Sequence, residues 1–182
     1  RLYLAVGDRG ALWVADALPD WRRVKTGTSV ALRGATYLGD RAIVVGESGT
    51  ILWSDEEVFQ AAVSGKTQWL ESVAASSNRV VAVGDGGTVL VSTNGVEWMA
   101  ASVGKTNNLT SVTYASGLFV AVGINQTVLT SPDGETWTRR TFPSGNSLTG
   151  VVHDGTRFVA SGYRFSNATQ KGLAALSEDG LR

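Results

Sequence analysis

The stretch whose reading decides the fold is Leu109–Trp137, LTSVTYASGLFVAVGINQTVLTSPDGETW. It reads as three short strands separated by turns. Its segments are rich in β-branched and aromatic residues, and Gly, Asn and Asp divide them. The stretch then recurs. The glycine that closes its second strand, Gly123, has counterparts at Gly7, Gly46, Gly84 and Gly162, every 38 or 39 residues. A self-similar period of this size means a repeat architecture, in which each unit buries its faces against its neighbours.

Other positions keep the same register. Leu32, Leu70, Leu109 and Leu148 stand fourteen residues before the anchor glycine, and Trp21, Trp98 and Trp137 stand fourteen after it. Four antiparallel strands in about 39 residues make one blade of a β-propeller, so the fold class is all-β. The chain divides into a single propeller with units 1–29, 30–68, 69–107, 108–147 and 148–182. Within unit two, EEVFQAAV could open as a helical turn, but the register places a turn and a strand there. No segment sustains a helical period.

In the first four units a small residue follows the anchor by eight positions: Ala15, Ser54, Ser92 and Ser131. In the fifth it is Ser177, fifteen positions on, so that unit carries an insertion of about seven residues within Tyr163–Lys171. It falls in the second hairpin of that unit and is expected to bring Tyr163, Arg164 and Phe165 to the same face as the turns of the other second hairpins. The strand count by register is three, four, four, four and three. Unit one lacks its first strand and unit five its fourth. The expectation is a portion of a larger propeller, or closure by association with another copy through open blade faces.

Composition bounds the function. The 182 residues include 16 basic and 16 acidic side chains, so the net charge is zero. That argues against a nucleic-acid partner and against an anionic membrane surface. No apolar run approaches a membrane span, and no signal peptide is visible. There is no cysteine, hence neither a disulfide nor a thiolate metal site. The 22 glycines against three prolines fit many tight turns. His153 is the only histidine and occupies the strand slot of Tyr37 and Tyr114, which leaves a catalytic triad or multi-histidine metal centre without support. No cofactor and no metal are expected.

After the third strand come Ser131-Pro-Asp133-Gly134-Glu-Thr-Trp137 and Ser92-Thr-Asn94-Gly95-Val-Glu-Trp98. Ser177-Glu-Asp179-Gly180 begins the same pattern, and Ala15–Trp21 and Ser54–Phe59 are eroded copies. The acid or amide side chain can bond amides of its own turn, the glycine accepts a positive φ, and the ring folds back to bury its surface. These residues therefore read as structural.

The pattern resembles the Asp-box, or BNR-like, repeat in a shortened S-x-[DN]-G-x-x-W form. Asp-box propellers include sialidases, some glycoside hydrolases, sortilin-type receptors and the photosystem II assembly factor. This chain looks most like the assembly-factor and short-repeat bacterial type. The resemblance implies boxes at the outer rim, away from the functional face, and an extracytoplasmic, bacterial setting. The sialidase residue set finds no match here residue by residue.

By register, the turns inside the second hairpins offer Asp8, Arg9, Glu47, Ser48, Asp85, Asn125 and Gln126. The connections between units offer Lys25-Thr26, Lys66-Thr67 and Lys105-Thr106. Both sets are expected to open on one face, a ring of lysines around a ring of acids that suits a protein or glycan partner. Charged turn residues are also what plain solvation selects. Gly65-Lys66-Thr67 and Gly104-Lys105-Thr106 lack the earlier glycine and the strand-to-helix context of a phosphate loop. The triplets at Asn108, Asn125 and Asn167 match a glycosylation acceptor, as a Thr-rich chain does by chance. The leading reading is a non-enzymatic binding or assembly scaffold. The alternative is a carbohydrate-active enzyme with acids from different blades at the channel, for which Glu47–Asp85 and Asp8–Glu47 are the carboxylate pairs.

Overall fold

The computed structural model describes residues 2–56, 58–104, 106–166 and 169–180. Sheet one holds β1 (Tyr3–Gly7), β2 (Ala11–Ala15) and β3 (Arg22–Val24). Sheet two holds β4 (Leu32–Leu38), β5 (Arg41–Gly46), β6 (Ile51–Asp55) and β7 (Val58–Ala62). Sheet three holds β8 (Leu70–Ala75), β9 (Val80–Gly84), β10 (Val89–Ser92) and β11 (Met99–Ala100). Sheet four holds β12 (Leu109–Ala115), β13 (Leu118–Gly123), β14 (Thr127–Ser131) and β15 (Thr138–Arg139). Sheet five holds β16 (Asn146–His153), β17 (Phe158–Ser166) and β18 (Thr169–Ser177).

Every sheet is an antiparallel meander, and the sheets follow one another as propeller blades do. Val58–Ala62 forms β7, so the strand reading holds there. The strands β4, β8, β12 and β16 pack side by side and form the inner wall. Their contacts are polar as well as apolar: the Val112 amide donates to Ser72 Oγ, and the Val151 amide donates to Ser111 Oγ, each at 3.1 Å. The apolar core lies between successive sheets. Val81, Val83, Phe119 and Ala121 are buried between sheets three and four. Ile43, Val45, Val80 and Ala82 are buried between sheets two and three.

The recurring glycine has a steric cause. A Cβ on Gly46 would stand 2.3 Å from the Ala31 carbonyl oxygen; on Gly84, 1.9 Å from that of Trp69; on Gly123, 2.1 Å from that of Asn108. The inner strand passes so close that no side chain fits. Gly7 has nothing within 4 Å, because no inner strand lies beside β1 among the described residues.

The Ser-Asp-Gly-Trp turns close as the sequence suggests. Ser131 Oγ accepts the Gly134 amide at 2.8 Å, Asp133 Oδ1 accepts the Glu135 and Thr136 amides at 2.9 and 2.8 Å, and Trp137 Nε1 donates to the Gly134 carbonyl at 2.8 Å. Asn94 does for sheet three what Asp133 does for sheet four, taking the Val96 and Glu97 amides at 2.9 Å each, while Trp98 Nε1 donates to the Gly95 carbonyl at 3.1 Å. Bonds to the Thr136 amide first, and then to Glu135 and Ser131, hold the Asp133 carboxyl below the usual range. In sheet five Ser177 donates to Asp179 at 3.3 Å, and Gly180 sits against Leu118, Val120 and Phe158. Sheet two has lost this turn: Ser54 Oγ accepts the Ala42 amide at 2.8 Å instead, and β7 follows at once.

The insertion in unit five lies in the second hairpin, where the register places it. Among the described residues it continues the β17–β18 hairpin, paired without interruption from Phe158↔Ser177 to Ser166↔Thr169. Backbone groups of the described added residues find partners across the hairpin, which explains why the extra length remains regular.

Candidate functional site

Each inner strand carries a β-bulge at one place, immediately after its buried leucine. The register shifts between Leu32 and Gly34, between Leu70 and Ser72, between Leu109 and Ser111, and between Leu148 and Gly150. The extra residues are Arg33, Glu71, Thr110 and Thr149. A bulge re-aims the side chain of the unpaired residue, and bulges concentrate at rims and sites. All four lie at the end of the inner strand that meets the turn following the anchor glycine, since Leu32 pairs with Gly46 and Leu70 with Gly84. The sequence reading missed these four residues. The signal was available: each stands thirteen residues before its anchor glycine.

The turns named from the sequence complete the same rim. Asp8–Gly10, Glu47–Gly49 and Asp85–Gly87 are single 3₁₀ turns whose second residue, Arg9, Ser48 or Gly86, is left-handed at φ 56°, 56° and 63°. In sheet four Asn125 and Gln126 take that backbone, with φ 52° and 61°. The turns are tied to the next connection. The Gly10 amide donates to the Val30 carbonyl, that of Gly49 to Gln68, and that of Gln126 to Asn146, at 2.8 to 2.9 Å. Turns and connections therefore do share one face. The Ser-Asp-Gly-Trp turns lie at the other end of the third strands, so Ser92, Asn94, Gly95, Trp98, Ser131, Asp133, Gly134, Trp137, Ser177, Asp179 and Gly180 are remote from this rim.

Chemically the rim is graded. At sheets two and three it is ionic. Arg33 donates to Glu47 Oε1 at 2.5 Å and lies over the Trp69 ring, 5.1 Å from its centroid. The Glu47 bond holds the Arg33 pKa above its ordinary value, with Glu71 and Asp8 adding to it through space. Burial pushes the Glu71 carboxyl up, Arg33 opposes that, and Asp85 and Glu47 add to the rise. Asp85 Oδ1 accepts from Asn108 Nδ2 at 2.6 Å, while Asn108 Oδ1 accepts the Gly86 amide at 3.0 Å. At sheets four and five the rim is neutral. Asn125 donates from its amide to Ser147 Oγ at 3.2 Å and from Nδ2 to Asn107 Oδ1 at 3.3 Å. Thr110 donates to the Leu148 carbonyl at 2.8 Å.

The lysines stand further out, because they follow the outermost strands. Lys25 is exposed and lines a groove of about 640 Å³ with Arg9. Lys66 is half-buried and lines a groove of about 470 Å³ with Ser48 and Thr26. Lys105 lies outside the described residues, as does Asn167. Both proposed carboxylate pairs are engaged elsewhere, Glu47 by Arg33 and Asp85 by Asn108. His153 accepts the Gly155 amide on Nδ1 at 3.1 Å and packs edge-on against Phe158, as a strand residue.

The β17–β18 extension rises from the same rim, since Tyr163 lies opposite Ser147 and Arg164 opposite Asn146. Tyr163 and Phe165 share a face, with ring centroids 5.4 Å apart and planes at 79°. Arg164 alternates to the other side of the hairpin, where the pleat separates it from the two rings. Phe165 is 64% exposed, an aromatic ring held out to solvent at the edge of the rim.

No protein-family model matches this chain, and no curated protein does. Solved structures do. The chain is similar to YCF48 from Cyanidioschyzon merolae, at 18% identity with a TM-score of 0.68, over 96% of this chain and 67% of that one. It is similar to a structure of YCF48 bound to D1 peptide, at 15% identity with a TM-score of 0.66, over 100% of this chain and 65% of that one. It is also similar to the computationally designed protein Ika8, at 15% identity with a TM-score of 0.69, over 96% of this chain and 55% of that one. The chain thus spans between about half and two thirds of the length of these structures. The likeness is one of fold: the five sheets are a β-propeller arrangement.

Proposed function

We propose that this chain belongs to a non-enzymatic propeller scaffold that binds an extended segment of a protein partner across the bulged rim. One observation carries the reading. Four bulges in one register aim Arg33, Glu71, Thr110 and Thr149 at a rim already lined by Glu47, Asp85 and Asn125. Backbone geometry repeated sheet after sheet presents a row of polar groups rather than a single reactive cluster. Such a row suits a peptide backbone with side chains of alternating character. Arg33 is already occupied by Glu47 and Trp69, so Asp8, Glu71 and Asp85 leave the inner rim acidic, which favours a partner carrying Lys or Arg there. The similar fold of a protein solved with a bound peptide supports peptide binding by this chain. The Ser-Asp-Gly-Trp turns support placing the chain among Asp-box propellers, with the units 1–29, 30–68, 69–107, 108–147 and 148–182 as its blades.

The test is selection from a displayed library of random linear peptides. Lys- or Arg-bearing sequences should be enriched, and Glu71→Gln together with Asp85→Asn should weaken them about tenfold or more, a loss of about 1.4 kcal/mol per decade. Peptides that bind both forms equally would overturn the rim as the site. Turnover of a glycan panel that Glu47→Gln abolishes would overturn the non-enzymatic reading.

A further inference from the structure

A second surface lies on the perimeter, at the outer edge of sheet two. The outer strands of sheets one, three and four are blunted. β3 carries Arg22 and Arg23, β11 is two residues long, and β15 is two residues long and runs on into Arg140. Short strands and charges of this kind keep an edge from pairing with another chain. β7 has neither defence. It runs for five residues, Val58-Phe59-Gln60-Ala61-Ala62, with no charge, no proline and no bulge. The cause is local. Sheet two has lost the Ser-Asp-Gly-Trp turn, so β7 begins at Val58 just after β6 ends at Asp55, whereas the whole turn separates β10 from β11.

Two residues of this edge turn their backbone outward. In sheets three and four the Ala101 and Arg140 amides donate to the third-strand carbonyls of Val89 and Val128, at 3.0 and 2.8 Å. Ala62 stands opposite Ile51 in the same register. Antiparallel pairing alternates, so Val58, Gln60 and Ala62 bond inward to β6, and Phe59 and Ala61 direct their N–H and C=O outward. Among the described residues β7 pairs with β6 alone. Just beyond it Val63 is bridged to Glu97 of sheet three, which closes that end. The Phe59 ring packs toward sheet one and fixes the strand before any partner arrives. Val58 is 65% exposed, and Gln60 and Ala61 are exposed as well.

We infer that β7 is a strand-addition site for β7 of a second copy of this chain, paired antiparallel about a two-fold axis at Gln60. The two outward residues stand symmetrically about Gln60, so Phe59 of each copy pairs with Ala61 of the other. The edge is thus its own complement, as an isologous contact requires. The same axis sets Gln60 against Gln60, where two carboxamides can bond each other, and Val58 against Ala62. No charged side chain of the strand meets its like. The chain has 16 basic and 16 acidic residues, so two copies approach without net repulsion. A pairing of five residues is small for an interface, and the dimer is therefore weak and reversible. β7 runs toward the rim, because Ala62 lies opposite Ile51, next to the Glu47–Gly49 turn. Antiparallel pairing turns the two rims to opposite sides of the dimer. That each dimer then holds two peptide segments rests on the rim reading; the pairing itself does not.

The experiment is analytical ultracentrifugation of the intact 182-residue chain. Between about 10 µM and about 1 mM the mass should rise reversibly from 19.1 kDa toward twice that value. Hydrogen exchange should show protection at Phe59 and Ala61 that grows with protein concentration. Gln60→Lys sets like charges face to face and should weaken the dimer about tenfold or more at low salt. Gln60→Glu should do the same, and mixing the two variants in equal amounts should restore a dimer. Residue 60 is exposed, so neither variant threatens the fold. A chain that stays monomeric up to about 1 mM would overturn the proposal. So would a dimer that Gln60→Lys leaves within about twofold of its strength, a Lys–Glu mixture that stays monomeric, or protection that appears elsewhere and not in β7. Glu71→Gln with Asp85→Asn should leave the dimer unchanged, which separates this test from that of the rim.

Discussion

Arg33 donates to Glu47 at 2.5 Å across the first bulge, while Glu71, the extra residue of the next bulge, keeps its carboxyl near that guanidinium without a hydrogen bond among the described residues. One cation thus serves two acids unequally. Glu47 is paired, and Glu71 is left partly desolvated with only a through-space attraction. Rims that keep such a group leave part of their interaction capacity for a partner.

A pH dependence follows with a definite sign. The folded-state pKa of Glu71 lies above its unfolded value, mainly from burial. Between those two values the folded state binds the additional proton, so stability falls as pH rises through that window. The cost is absent below the ordinary carboxylate range and complete above the raised pKa. Glu71→Gln should therefore raise Tm at neutral pH, with the gain disappearing as the pH is lowered through the carboxylate range. A gain that persists undiminished under acid conditions would contradict the burial argument.

Asp133 carries the opposite sign. Its pKa is lowered by amide bonds, so its contribution is present above the unfolded value and is lost as pH falls through the folded one. Asp133→Ala should cost about 1–2 kcal/mol in urea unfolding at neutral pH, because two turn amides lose their acceptor. Asp133→Asn should cost less than half of that, since Asn94 makes the same bonds in sheet three. It should also remove the acid-limb pH dependence. Equal losses for the two variants would show that charge, rather than the acceptor, closes the turn.

The anchor glycines separate space from conformation. Gly7 and Gly84 share an extended backbone, with φ −175° and −174°, so neither needs glycine for its φ. A Cβ on Gly84 would meet the Trp69 carbonyl at 1.9 Å, and one on Gly7 would meet nothing within 4 Å. Gly84→Ala should destabilise by about 3 kcal/mol or more, at or beyond the upper end of overpacking costs, because backbone cannot yield cheaply. Gly7→Ala in the same 182-residue chain should stay within about 0.5 kcal/mol. Chemical denaturation of both variants checks the pair.

The hairpin extension offers a test by face. Tyr163→Ala with Phe165→Ala should weaken rim-selected peptides about tenfold or more, as loss of an aromatic anchor does. Arg164→Ala should change that binding less than threefold, because its side chain leaves on the opposite face. Stability should move by no more than about 1 kcal/mol in either variant, since Phe165 is exposed. Equal binding losses from both faces would show that the peptide wraps the whole hairpin.

Much of this molecule was legible in the chain because its determinants are local or periodic. The strands follow from apolar alternation, and the Ser-Asp-Gly-Trp turns from side chains that bond amides two or three residues away. A 39-residue period carries both from sheet to sheet. The insertion was placed in the second hairpin by the same period, but the pairing of its residues was not. Whether added residues pair or loop depends on bonds between Arg164 and Lys171 or Phe165 and Gln170, which no single segment specifies.

The sequence by itself determined that sheets repeat, where each turn falls, and that the acids of the Ser-Asp-Gly-Trp turns serve those turns. Only the tertiary structure decided what surrounds them. The four bulges arise from the register between two strands, so Arg33 and Glu71 became rim residues through pairing rather than type. Likewise, the apolar core between sheets three and four exists because two sheets meet there, and neither one alone encloses it. Local hydrogen bonding and periodicity act within reach of one segment, whereas burial, close backbone approach and ion pairing act between segments distant in sequence.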